Sequence, residues 1–104
     1  MAEKRTITMD ELTKKLGKFI SVENTPSRNG YNNAPNQFEI RFENGRVFQS
    51  YSTLIAARVC GELYLTDSHD YSNTTSAHTT RWTGYTTAER RAGLKDGRFI
   101  NIID

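Results

Sequence analysis

The period of hydrophobic and polar positions changes several times along the chain. It is helical first: Thr8 and Glu11 have capping-box spacing, Leu12 and Leu16 share one face of "MDELTKKL", and Gly17 suits a C-terminal stop. "KFISVE" then alternates as a short strand. Residues 24–36, "NTPSRNGYNNAPN", hold both prolines and five asparagines and lose all period, as a long loop does. "NQFEIRF" and "VFQSYS" alternate on either side of Asn44-Gly45, the pair that a two-residue type I′ turn favours. That hairpin pairs Glu43 with Arg46, Phe42 with Val47, Ile40 with Gln49 and Phe38 with Tyr51. Its apolar residues share one face, and Glu39, Arg41, Glu43 and Arg46 share the other. "TLIAARV" and "ELYLT" form a second hairpin turned at Cys60-Gly61. Leu63 and Leu65 mark one face and Ile55, Ala57, Val59 and Tyr64 the other, a pattern of strands covered on both sides.

Beyond Leu65 the texture changes. From Thr66 to Thr87, 11 of 22 residues are Ser or Thr, with an extra helix expected near 75–83. "TTAERRAGLKDG" reads as a helix with a capping box at Thr86 and Glu89 and a stop at Gly97. Gly93 inside it costs ~1 kcal/mol relative to Ala, so this helix must lean on packing. "RFINIID" closes as a strand, Phe99 facing away from Ile100 and Ile102. Neighbouring strands with helices at the ends predict a single α+β domain: an antiparallel meander sheet of four to six strands with an N-terminal and a C-terminal helix.

Composition narrows this further. The chain has 104 residues, one domain's length, and is 36% apolar, below the usual ~45–50%. Phe and Tyr, five of each, must then carry much of a thin core. The net charge of +2 announces no nucleic-acid partner by itself. Residues 81–98 are nevertheless mildly basic, with five bases against two acids. Cys60 is the one cysteine, so no internal disulfide forms and a reducing compartment is expected. "MAEKRTITMDEL" has no signal-peptide pattern, and no segment has a membrane span's ~20 apolar residues. These features predict a cytoplasmic protein with no membrane partner.

Candidate chemistry concentrates in "YLTDSHDYSNTTSAHTTRWTG", residues 64–84, which holds both histidines and the single tryptophan. Ser68-His69-Asp70 has the letters of a triad, but contiguous residues cannot take up triad geometry. Asp67, His69, Asp70 and His78 lack any established metal spacing, and no glycine pattern cradles a phosphate. An enzyme built on Cys60 and a histidine has no surrounding signature. The expectation is therefore no catalytic residues, metal or cofactor. It places partner binding at His69, His78, Arg81, Arg90, Arg91 and Lys95, and structural anchoring at Tyr71 and Trp82. Stacking aromatics beside arginines also suit single-stranded nucleic acid, the alternative partner.

"FQSYSTLIA", "LYLT", "DYSNTTS-H" and the closing short helix, Gly and strand resemble a family of small, uncharacterised proteins from phages, plasmids and other mobile elements. The resemblance covers residues 47–103; this chain departs from it at His69, where the family carries an aromatic. It implies no activity or cofactor. It implies a bacterial host's cytoplasm and a non-enzymatic protein that binds and occludes a host protein, such as a defence nuclease, in the manner of an anti-CRISPR inhibitor. It also implies that the short polar side chains of Asp70, Ser72, Asn73 and Ser76 bond nearby backbone while Tyr71 and Trp82 pin the segment to the sheet. A homodimer through "RFINIID" is expected only if that strand is an edge.

Overall fold

The computed structural model describes residues 3–26 and 33–103. Among these described residues the fold is α+β, with three helices and one mixed sheet of seven strands. The strands are β1 (Arg5–Thr8), β2 (Phe19–Pro26), β3 (Asn33–Phe42), β4 (Gly45–Ser50), β5 (Thr53–Val59), β6 (Glu62–Leu65) and β7 (Ile100–Ile103). The helices are α1 (Met9–Leu16), α2 (Asn73–Thr83) and α3 (Thr87–Asp96), with a 3₁₀ turn over Asp67–Asp70. Strand order is β1-β7-β6-β5-β4-β3-β2. β2 to β6 form the expected antiparallel meander, but β7 pairs parallel to both β1 and β6. β7 is thus interior, and the expected dimer through "RFINIID" loses its edge. The expected loop at 24–36 also shrinks, because β2 runs to Pro26 and β3 starts at Asn33; residues 27–32 of that expectation lie outside the described residues.

The sheet is covered on both faces. On one, Leu12 and Leu16 of α1 pack with Ile7, Val47, Ala57, Val59, Tyr64, Ile100 and Ile102. On the other, Trp82, Tyr85 and Leu94 pack on Phe48, Ile55, Ala56, Leu63, Leu65 and Phe99. Ile55 crosses from its expected face because of a β-bulge: Phe48 pairs with Ala56 and Gln49 with Leu54, leaving Ile55 as the extra residue.

The first hairpin slips from its expected register. Phe42 pairs with Gly45 and Ile40 with Val47, so Glu43 and Asn44 form the turn. A two-residue slip keeps Ile40, Phe42 and Val47 on one face and Glu39, Arg41 and Arg46 on the other, but Phe48 lies opposite Glu39 on the charged face and Tyr51 falls beyond the strand. Gly45 serves contact instead of turn geometry: a Cβ there would lie 2.3 Å from the Arg58 carbonyl oxygen. The turn also closes the end of α1, since the Asn44 amide donates to the Leu16 carbonyl at 3.0 Å and the Lys18 amide to Glu43 Oε1 at 2.7 Å. The second hairpin turns where expected, with Cys60 (φ 52°) and Gly61 (φ 79°) both left-handed. Gly93 marks close packing of α3, because a Cβ there would sit 2.2 Å from the Phe99 ring.

Candidate functional site

Both capping boxes form as the sequence predicts, at Thr8–Glu11 and Thr86–Glu89. Seven of the eleven hydroxyls from Thr66 to Thr87 divide among three tasks. Ser72 and Thr86 cap α2 and α3. Thr79 and Thr83 return their hydroxyls to the carbonyls four residues earlier, at 2.7 Å each, which leaves a methyl-lined face of α2 against the sheet. Ser76, Thr80 and Thr87 turn toward Arg90.

Arg90 is fully buried, at 0% exposure. Its Nε donates to His69 Nδ1 at 3.0 Å. Nη1 donates to Thr80 Oγ1 at 2.9 Å and to the Tyr85 carbonyl at 2.7 Å. Nη2 reaches the His69 carbonyl at 3.2 Å and the hydroxyls of Ser76 and Thr87 at 3.1 Å each, and those two hydroxyls also bond each other. Among the described residues no ion pair includes Arg90. A buried charge normally requires an opposite charge or a full set of hydrogen bonds; here neutral oxygens and one imidazole nitrogen replace its hydration shell. Burial still pushes its pKa below the usual guanidinium value. Because Nδ1 accepts, His69 is the neutral tautomer protonated at Nε2. Burial first, offset by Asp70 and reinforced by Arg90, lowers its pKa from the ordinary value.

This cage corrects the sequence-based site. His69 and His78, expected as exposed binding residues, are 4% and 8% exposed, and Arg90 is buried. Arg91 is exposed but bonds Asp70 at 2.9 Å through Nε, which holds the Asp70 carboxyl below its ordinary pKa. Lys95 is exposed in the last turn of α3. Tyr71, expected as an anchor, is 84% exposed. Asp70 and Ser76 bond arginines, where backbone partners were expected. The cage was nonetheless within reach of the sequence, because Arg90, Gly93 and Leu94 have the i, i+3, i+4 spacing of an inward helix face.

The structure brings His78, Arg81 and Trp82 together along a cleft of about 260 Å³ between α2 and the β2–β3 edge. Trp82 is stacked on Phe48 at 5.8 Å with its Nε1 donating to Glu39 Oε1 at 2.9 Å. The Arg46 guanidinium lies 5.7 Å from the Trp82 ring centroid. Glu39 is paired with Arg41 at 3.2 Å and Arg46 at 3.8 Å, and Arg41 reaches Glu23 at 3.4 Å. The sequence placed Glu39 and Arg46 on a wet sheet face; α2 closes over that face and makes them part of a site. Among the described residues no group of three or more His, Cys, Asp or Glu is placed to hold a metal, and no helix is long and apolar enough to cross a membrane.

Residues 18–100 match a family of unknown function (DUF8033), from β2 through the whole Arg90 cage. No curated protein and no solved structure matches the chain. The chain belongs to that family.

Proposed function

We propose that this member of the family is a protein-binding module that engages its partner along the β2 edge and the adjoining Trp82 cleft and turns over no substrate. The observation that carries the reading is the edge itself. Phe19, Ile20 and Val22 are 60%, 61% and 54% exposed on the last strand of the sheet. Edge strands usually carry charge, proline or bulges against unwanted pairing. β2 has register shifts after Phe19 and Asn24, yet it keeps three large apolar side chains in water. Ile20 lines a cleft with Arg41, Arg46 and Arg58, while Phe19 and Val22 pair with Phe42 and Ile40 on the α1 side of the sheet. Such a patch suits recognition, and an unpaired edge accepts an added strand.

The resemblance to small mobile-element proteins supports a narrower form: in a bacterial host's cytoplasm, the chain occludes a host protein such as a defence nuclease, in the anti-CRISPR manner. Nucleic acid is less well supported, because Arg90 is enclosed and Arg91 is bonded to Asp70.

The test compares affinity purification of the wild-type chain and an Ile20→Lys, Val22→Lys variant from host cells. Both substitutions are on an exposed surface, so unfolding free energy should change by no more than about 0.5 kcal/mol. The expected result is a stoichiometric partner held by the wild type and lost by the variant. Identical co-purifying proteins, or none with the wild type, would overturn the reading.

A further inference from the structure

A second cleft, of about 460 Å³, opens at the N-terminal end of α2, away from the β2 edge. Ser50, Tyr51, Ser68, Tyr71, Ser72 and Thr75 line it, and no charged side chain does among the described residues. Two independent features converge there. The first is the start of an 11-residue helix whose first turn carries no acid. Ser72 Oγ accepts from the Thr75 amide, so the amides of Asn73 and Thr74 have no acceptor within the helix. The second is Ser50 on the opposite wall, which is 4% exposed and whose Oγ has no hydrogen-bond partner. Gln37 pairs with it across β3 and β4, and its Oε1 is also unpartnered, so neither group completes the other.

Of the two carboxylates in the preceding 3₁₀ turn, Asp70 is neutralised by Arg91, and Asp67 keeps its charge but is turned to the Asn101 amide at 3.3 Å. Arg90 bonds Ser76 in the second turn of α2 with no carboxylate paired to it. Helix dipole and buried cation thus carry the same sign. At the mouth, Tyr71 is 84% and Tyr51 63% exposed. Tyr51 is held at φ 55°, a left-handed conformation uncommon for a bulky residue.

We propose that this cleft binds the phosphoryl group of a small organic phosphate. The oxyanion meets the amides of Asn73 and Thr74 and the Ser50 hydroxyl, and the ring that carries it lies against Tyr51 and Tyr71. A tetrahedral oxyanion presents acceptors in several directions, which suits donors arriving from helix and sheet; a planar carboxylate presents two. A helix N-terminus is a ready anion site, and the unpartnered serine adds a donor from the sheet.

The experiment is a ¹H–¹⁵N titration of the full chain at constant ionic strength, with chloride as control, using inorganic phosphate, a nucleoside 5′-monophosphate and a hexose 6-phosphate. The Asn73 and Thr74 amides should shift saturably, and one organic phosphate should bind at least about tenfold tighter than inorganic phosphate. Which one wins identifies the carrier. Thr74→Glu puts a carboxylate at the positive end of α2, which suits the helix and repels the ligand. It should keep or raise the thermal midpoint and weaken phosphate by at least about tenfold. Tyr71→Ala should weaken the organic phosphate alone. No saturable shift by about 10 mM of any probe, or a Thr74→Glu variant that binds as the wild type does, overturns the site. Equal affinity for inorganic and organic phosphates overturns the role of the tyrosines.

Discussion

The two faces of the sheet are closed by different chemistry. On the α1 face, Leu12 and Leu16 meet Val47, Ala57, Val59 and Ile102, and cohesion comes from apolar area. On the α2 and α3 face, Phe48, Leu65 and Phe99 form a small apolar patch, and beside it the two helices are joined through a buried guanidinium. Apolar contact is non-directional and tolerates substitution. A guanidinium fork fixes distance and angle together, so the second face should be more exact in geometry and less tolerant of change.

The largest test of that contrast is Arg90→Met. It removes all of the guanidinium's donors and strands the His69, Thr80, Ser76 and Thr87 acceptors, at a cost of about 4 kcal/mol by urea denaturation. Adding Ser76→Ala and Thr87→Val should recover about half of that, because removing both sides of a polar contact costs less than removing one. If Arg90→Met alone costs under about 1 kcal/mol, the cage is not what joins α2 to α3. Leu12→Ala on the other face should cost about 3 kcal/mol, through lost transfer energy and a cavity.

Acid should separate the faces as well. The folded pKa of His69 lies below its ordinary value of about 6.5. Its contribution to stability is therefore complete above that value, and is lost as pH falls toward the folded pKa, where the unfolded chain binds the proton first. Asp70, held low by Arg91, gives up its share only at more acid pH, below the ordinary carboxylate value. Urea midpoints between pH 7.5 and 5 should fall for the wild type and fall less for His69→Asn, whose Oδ1 can still accept from Arg90 Nε. Equal slopes would refute a His69 held neutral by burial. The smallest expected effect serves as a control shared by both faces. Cys60→Asn puts a residue suited to left-handed backbone into the β5–β6 turn and should stabilise by about 0.5 kcal/mol, with or without Arg90.

Legibility in the sequence follows the same division. α1, both capping boxes and the Cys60-Gly61 turn could be read directly, because each is decided by residues within four positions of one another. The meander was visible from alternation, but its register was not. Asn44-Gly45 suggested a turn by composition, while Gly45 is used for its close approach to Arg58. β1 is not legible, because "RTIT" has one apolar residue and its partner strand is remote in sequence. The hydroxyl-rich stretch reads as stapled, but its composition does not say that a buried arginine is what it holds. Polar caging has no period, and a buried arginine looks like a surface residue until its i+3 and i+4 neighbours are weighed with it.

The pairing of β1 with β7 bears on how the chain reaches this state. β2 to β6 are joined in order by adjacent hairpins, so their ladder can zip from local contacts. Arg5 must instead find Ile100 and the turn before it, where its Nε donates to the Gly97 carbonyl at 2.6 Å. Closing so large a loop is entropically costly, and contacts of such long range form late. On a ribosome, the first strand to emerge is then among the last to be placed, and the nascent sheet waits with an open side until β7 arrives.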